Sequence, residues 1–313
     1  MPEFSPDLEA AVAAYESRQE GGNWLLFGAF MPTAWLSVVL WLLGRPREAL
    51  ERNRLVFEIA EQQQYPLALA YGQCLTAWLH QYRGDAAAVK QYADAAIETS
   101  RTHDYAQWLA LGFMFRSWAL VALGEHETGL AHLTRGIEKF RGMGAELNVP
   151  HFLALLADAH RRTGNPVAGL KVIDEAIAIA AKNDDRCWEP ELHRLRGELL
   201  LLCGDACPAD VGDPRRAAES AFRTALDVAV RQKSRSLEVR VALSLARLLT
   251  AQTRFAEARS TLATALDHHP RGGDTSELEE ARAALADLEQ LVATNLERPS
   301  VRRALEDDAV ALE

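Results

Sequence analysis

Apolar stretches and polar turns alternate along the chain with a fixed period. Five glycines end apolar stretches at intervals of forty residues: Gly44, Gly84, Gly124, Gly164 and Gly204. Each glycine also precedes another helical stretch, as expected where a glycine ends one helix and a second helix follows. After an insertion of eight residues Gly212 restarts the register, and Thr253 takes the sixth turn position. The pattern predicts about six helix pairs.

Small residues recur at three offsets from these turns. Seven positions before the turn stand Ser37, Ala77, Ser117, Ala157, Gly197 and Ala246. Five positions after it stand Ala49, Val89, Gly129, Gly169, Ala217 and Ala258, and twelve after it stand Val56, Ala96, Gly136, Ala176, Thr224 and Ala265. This spacing resembles the tetratricopeptide repeat, in which small side chains let neighbouring helices approach closely. HEAT repeats have a similar period, but the small-residue spacing favours the tetratricopeptide interpretation.

The predicted architecture is all-α: a tetratricopeptide-like, right-handed α-solenoid of about six helix pairs with a 40-residue period and terminal capping helices. A repeat cannot bury its apolar face alone, so the repeats are expected to stack into one solenoid. We expect an N-terminal polar helix in residues 1–22, the solenoid in 23–270 and C-terminal capping helices in 271–313. The insertion from Asp205 to Asp213 is expected to form a surface loop.

Charge and composition narrow the class of protein. The 313 residues are 49% hydrophobic and 25% charged, with a net charge of −10, and this composition argues against a disordered chain. An acidic chain without a basic patch is not expected to bind nucleic acid, which requires clustered Lys and Arg. Four cysteines are too few for a disulfide framework in a chain of this length.

One uncharged stretch, Trp24 to Leu43, has the length of a membrane span. Pro32 interrupts it, and its second half coincides with the first predicted repeat helix. We therefore expect a buried helix and a cytoplasmic protein rather than a membrane anchor. The acidic N-terminus does not have the basic start of a secretory signal.

Several stretches resemble the C-terminal repeat region of bacterial LuxR-type large ATP-binding regulators and of ATPase-linked class III adenylate cyclases. The most specific of these stretches are ELHRLRGELLL (Glu191 to Leu201) and RSLEVRVALSLARLL (Arg235 to Leu249). The resemblance implies a role in signalling or transcriptional regulation. In that family the repeats follow a nucleotide-binding module, but neither GxxxxGK[ST] nor GxGxxG occurs here. The family's enzymatic chemistry therefore does not carry over.

No catalytic, cofactor-binding or metal-binding residues are predicted, and we expect a protein that is not an enzyme. His80 and His160 occupy equivalent positions where sister repeats have leucine, so they are interpreted as core or groove residues. His268 and His269 precede Pro270 in a turn and are expected to be solvated.

A candidate binding site follows from the tetratricopeptide geometry, in which the first helix of each pair lines the concave face. The exposed offsets there are occupied by Tyr71, Trp78, Gln81, Met114, Trp118, His151, Asp158, Arg161, Glu191, Arg194, Glu198, Arg240 and Arg247. The N-terminal half of this face would be aromatic and the C-terminal half charged. Two alternatives stay open: Trp78 and Trp118 can be core residues, and the charges from Glu191 to Glu198 can form a salt-bridge ladder within one helix.

The leading hypothesis is a non-enzymatic repeat scaffold that binds a protein or peptide partner on its concave face. The alternative is a sensor that binds a small polar ligand and acts on a separately encoded ATPase, adenylate cyclase or transcriptional regulator.

Overall fold

The computed structural model describes residues 30–62, 64–144, 146–270 and 275–296. Within these ranges the chain forms thirteen α-helices and no strand. The helices are α1 (Phe30–Leu42), α2 (Pro46–Gln62), α3 (Pro66–Tyr82), α4 (Ala86–Thr102), α5 (Ala106–Ala122), α6 (His126–Gly142), α7 (Val149–Arg162), α8 (Pro166–Asn183), α9 (Glu189–Cys203), α10 (Pro214–Arg231), α11 (Arg235–Ala251), α12 (Phe255–His268) and α13 (Ser276–Leu296). The predicted N-terminal helix and the last part of the chain lie outside the described residues.

Each helix packs against its neighbours in sequence, which gives six helix pairs followed by α13. This arrangement confirms the predicted all-α, tetratricopeptide-like solenoid. The insertion forms two short 3₁₀ turns, Gly204–Ala206 and Ala209–Val211, with mostly exposed side chains.

The turns inside the pairs have the geometry that the glycine pattern predicts. At the second turn Gly84 has φ of +71°, and the amide of Asp85 donates to the carbonyl of His80 over 3.1 Å, as in a Schellman motif. Thr253 adopts φ of +62° in the sixth turn, although its side chain disfavours that conformation. Several turns between pairs are also left-handed without glycine, for example at Asp104, and the sequence pattern did not reveal them.

The small positions lie at helix contacts, with one correction of register. A Cβ atom on Gly197 would lie 2.5 Å from the Phe222 ring, so this contact requires glycine. After the insertion, the predicted positions Ala217 and Thr224 are one residue early, because α10 instead buries the next residue in each case. Those buried residues are Ala218 and Ala225.

The solenoid closes on itself, which the sequence did not predict. Helix α11 packs against α1, and the Ser236 hydroxyl donates to the carbonyl of Trp41 over 2.5 Å. At the same junction a Cβ on Gly44 would lie 2.8 Å from Nε2 of His269. The expectation that His268 and His269 are solvated is wrong for His269, which is buried against the first repeat. His268 is exposed, and its Nδ1 lies 2.5 Å from Glu238.

Helix α1 has 13 residues and packs as the first helix of the solenoid, with Pro32 in its first turn. In the described part of the chain, no helix is both long and apolar enough to span a bilayer. Residues 24–29 of the uncharged stretch lie outside the described residues.

Candidate functional site

Aromatic side chains from distant repeats meet at the centre of the solenoid. Trp78 of α3 stacks on His151 of α7 with ring centroids 4.4 Å apart, and both rings contact Trp188, at 5.5 and 4.9 Å. Phe115 and Phe152 pack around them. We call these five residues the aromatic cluster. Each of them is at most 3% exposed, so part of the predicted concave face is filled by the protein's own side chains.

Burial also determines the protonation state of the histidine in this cluster. Desolvation lowers the pKa of His151 to about 3, because the protonated imidazole would have to lose its hydration among aromatic rings. The imidazole is therefore neutral near pH 7.

A cavity of about 280 Å³ adjoins the aromatic cluster, and we call it the charged cavity. Its charged lining residues are Arg83, Asp158, Arg161, Arg162, Glu191, Arg194, Arg240, Arg247, Glu277 and Glu280. Six arginines face four carboxylates there, and Glu198 behind the lining pairs with Arg194 and Arg161, which leaves an excess of one positive charge. This local excess contrasts with the net charge of −10 of the whole chain.

An ion-pair network forms the wall of the charged cavity along α9. Arg194 donates to Glu191 over 2.7 Å, one turn earlier, and also pairs with Glu198, one turn later. Ser244 of α11 donates to Glu198 over 3.0 Å. Burial by itself would raise the pKa of Glu191. The positive charges of Arg194 and Arg240 have the larger effect, so the pKa of this carboxyl is lowered. The salt-bridge ladder within α9, which the sequence analysis gave as one of two alternatives, is therefore present. Ser244 of α11 stabilises it through its hydrogen bond to Glu198.

Asp158 of α7 is the centre of a second ion-pair network, which adjoins the first where Arg161 lies 3.4 Å from Glu198. The Asp158 carboxylate accepts hydrogen bonds from Arg161 and Arg162 over 2.7 and 2.8 Å, and from the indole Nε1 of Trp118 over 3.0 Å. Burial alone would raise the pKa of Asp158, but the two guanidinium groups lower it to about 2. The Arg162 guanidinium also lies 5.5 Å from the Trp118 ring centroid, in a cation–π contact.

Arg240 joins the charged cavity to the junction that closes the solenoid. Its guanidinium donates to Glu277 of α13 over 2.5 Å and to the carbonyl of Tyr82 over 2.6 Å. It also lies 5.2 Å from the centroid of the Trp41 ring. One side chain thus contacts the first and second repeats and the last helix.

Some polar side chains on the cavity wall have an atom without a hydrogen-bond partner among the described residues. These atoms include Oε1 of Gln81, Nε of Arg83 and Nε2 of His151. Buried polar atoms normally have partners, so a bound group with both donors and acceptors would satisfy them. Arg83 also forms no ion pair with an acidic side chain in the described part of the chain.

The structure brings together most of the predicted site residues. Nine line the charged cavity: Gln81, Trp118, His151, Asp158, Arg161, Glu191, Arg194, Arg240 and Arg247. Glu198 supports that wall through Arg194. The remaining three, Tyr71, Trp78 and Met114, are at most 2% exposed and lie away from the cavity lining.

The sequence analysis missed several cavity residues. Arg83 stands in a turn, outside the helical offsets that were considered, and Trp41 lies on the first helix. Glu277 and Glu280 belong to α13, whose position depends on closure of the solenoid. Glu277 stands in the acidic first turn of α13, which was the one local signal for it.

The charged cavity holds no candidate metal centre. In the ranges that the structure describes, no three His, Cys, Asp or Glu side chains are grouped as metal ligands would be.

The fold and this cavity define the class: a closed, tetratricopeptide-like α-solenoid with a charged interior cavity. A solved structure, the apo form of RapI, is similar to it, with a TM-score of 0.56 and 15% identity over 91% of this chain and 95% of that chain. At this identity the similarity shows the fold alone. The TPR2AB domain of yeast Sti1, solved with pHSP90, covers 84% of this chain and 96% of its own at 14% identity, but its TM-score of 0.31 establishes no common fold. No protein-family model and no curated protein match the sequence.

Proposed function

We propose that this protein is a non-enzymatic repeat scaffold that binds a short segment of a protein partner in the charged cavity. The observation that carries the proposal is the surplus of arginine on the cavity wall together with the unpartnered Nε of Arg83. A guanidinium group binds a carboxylate through paired hydrogen bonds, so an acidic side chain or a C-terminal carboxylate fits this wall.

The filled centre limits how a partner binds. Because the aromatic cluster occupies the middle of the solenoid, an extended peptide does not run along the whole concave face. The cavity volume of about 280 Å³ suits a few residues of a peptide or a small ligand. A chain end or an acidic loop is therefore the expected partner segment.

We place this scaffold in a bacterial signalling or transcription-regulatory system in the cytoplasm. This part of the proposal is supported by the resemblance of residues 191–201 and 235–249 to the repeat regions of such regulators. Helix α9 and helix α11 carry these two stretches, and both contribute walls of the charged cavity.

The alternative function is a sensor for a small polar ligand that acts on a separately encoded ATPase, adenylate cyclase or regulator. The observation that favours it is the makeup of the cavity wall, which combines residues from the first repeat to the last helix. A ligand bound there would contact both ends of the solenoid and stabilise its closed form.

An affinity pull-down followed by mass spectrometry tests the proposal. The wild type, Arg83→Gln and the control Arg216→Gln are compared, because Arg216 is 91% exposed and far from the cavity lining. Loss of a charged hydrogen bond costs about 1.5–3 kcal/mol, so Arg83→Gln is expected to weaken partner binding by about ten-fold or more. Arg216→Gln is expected to bind normally.

Equal capture of the partner by both variants would contradict the assignment of the charged cavity as the binding site. A thermal-shift screen with sugars and nucleotides separates the two functions. Stabilisation by one of these compounds, lost in Arg83→Gln and without any captured partner, would favour the sensor.

A further inference from the structure

A second cavity, of about 270 Å³, lies between α5 and α6 and shares no lining residue with the charged cavity. Its floor is apolar, formed by Leu109, Ala110 and Phe113 of α5 with Gly136 of α6. We call it the outer pocket. Aliphatic and aromatic carbon atoms at an open pocket favour an apolar group of a ligand, because binding removes their surface from water.

Basic side chains surround this apolar floor. His132, Arg135 and Lys139 of α6 line the pocket, and the Arg101 guanidinium lies 5.4 Å from the Phe113 ring centroid. Among the described residues none of these four forms an ion pair with a carboxylate. In an acidic protein, four basic side chains around one apolar pocket favour an anionic ligand.

The repeat register shows what is missing at this pocket. Between the second helices of successive pairs, Arg141 pairs with Glu175, 34 residues later, over 2.8 Å. Arg223 and Glu257 form another ion pair with this separation further along the solenoid, at other positions of the repeat. At the outer pocket the corresponding residues are Arg101 and Arg135, so two arginines stand where the next junction has an arginine and a glutamate.

The preceding repeat has an equivalent groove with the opposite chemistry. At a distance of forty residues, Phe113 corresponds to Gln73, Arg101 to Glu61 and Lys139 to Thr99. Glu61 and Thr99 line the groove of that repeat, together with Leu69, the equivalent of Leu109. The groove of the preceding repeat therefore does not share the apolar floor with basic surroundings.

We infer that the outer pocket binds an apolar monocarboxylate, such as a medium-chain fatty acid or an arylalkanoic acid. The carboxylate of the ligand takes the place of the missing glutamate between Arg101 and Arg135, and its apolar body covers Phe113 and Leu109. Arginine suits this role because its planar guanidinium accepts a carboxylate in a paired arrangement.

Isothermal titration calorimetry of the full chain with decanoate, below its micelle concentration, tests the inference. We expect saturable binding with one site, and at least about ten-fold weaker binding of decanol, which has the chain but no charge. Arg135→Glu recreates the ion pair that Arg141 and Glu175 form at the next junction, so it is expected to abolish decanoate binding while keeping or raising the melting temperature. Phe113→Gln, which introduces the residue of the preceding repeat, is expected to weaken binding at least ten-fold.

The matched control is Arg216→Glu, which makes the same charge change at a site outside the outer pocket and is expected to bind decanoate as the wild type does. Absence of decanoate binding to the wild type overturns the inference. Equal affinity in Arg135→Glu and the wild type also overturns it. Binding of a hexaglutamate peptide but not of decanoate overturns it in favour of a docking surface for an acidic protein.

Discussion

The aromatic cluster and the charged cavity lie side by side in the interior of the solenoid, yet one is closed and the other is open. Trp78, His151 and Trp188 come from three different repeats and exclude water by stacking on one another. Arg194, Glu191 and their neighbours also meet across repeats, but they leave a cavity of about 280 Å³.

The difference follows from the cost of removing each group from water. Aromatic rings gain free energy on burial and pack without voids, so they fill the centre. Guanidinium and carboxylate groups lose hydration that their ion pairs only partly compensate, so they are retained where water or a ligand has access. The comparison teaches that the concave face of a repeat solenoid is not a binding surface along its whole length.

The largest expected effect is the difference in stability between a variant of the aromatic cluster and a variant of the charged cavity. Trp78→Ala should lower the free energy of unfolding by about 3–5 kcal/mol, because it leaves a void among buried rings. Arg83→Gln on the wall of the charged cavity should change it by less than about 0.5 kcal/mol. Urea unfolding followed by circular dichroism at 222 nm measures both. Equal and small losses in the two variants would contradict the division into a packed and an open region.

A second effect concerns the pH dependence of the aromatic cluster. The pKa of His151 is about 3 in the folded protein, below the value near 6.5 of an unfolded chain. Below pH 6.5 the unfolded state takes up a proton that the folded state does not, so stability falls as the pH decreases. The loss is about 1.4 kcal/mol per pH unit, or about 2 kcal/mol at pH 5.

His151→Phe keeps an aromatic ring in the cluster and removes this titration. The free energy of unfolding of the variant should therefore decrease less than that of the wild type between pH 7 and pH 5. Parallel decreases in both proteins would show that His151 becomes protonated without unfolding.

The smallest of the three effects belongs to the charged cavity and appears at lower pH. Arg161 and Arg162 hold the pKa of Asp158 at about 2, below the value near 3.9 of an unfolded chain. The resulting stabilisation is present above about pH 4 and is lost as the pH falls to about 2. The loss between pH 4 and pH 2 amounts to about 2 kcal/mol.

Asp158→Asn removes this contribution at neutral pH. The difference in unfolding free energy between wild type and variant should shrink as the pH falls from 4 to 2, when measured by urea titrations at each pH. A difference that stays constant over this interval would show that the Asp158 carboxylate is not held charged by the two arginines.

Local rules were sufficient for the repeat architecture but less so for the site. The forty-residue glycine period and the small positions predicted the six helix pairs, because turns and close helix contacts depend on residues near in sequence. The same offsets placed nine of the thirteen candidate residues in the lining of one cavity. They failed at α10, where the insertion moved the buried face by one residue to Ala218 and Ala225.

The sequence by itself determined the all-helical class, the period, the turn positions and the side on which polar residues of the first helices gather. Only the tertiary structure decided that Trp78 is packed inside, that Arg83 and Glu277 reach the charged cavity, and that Arg101 forms no ion pair with any described residue. The reason is distance along the chain: the bond from Ser236 to Trp41 spans 195 residues. Small rotations between successive repeats accumulate over such a span, and no local pattern records their sum.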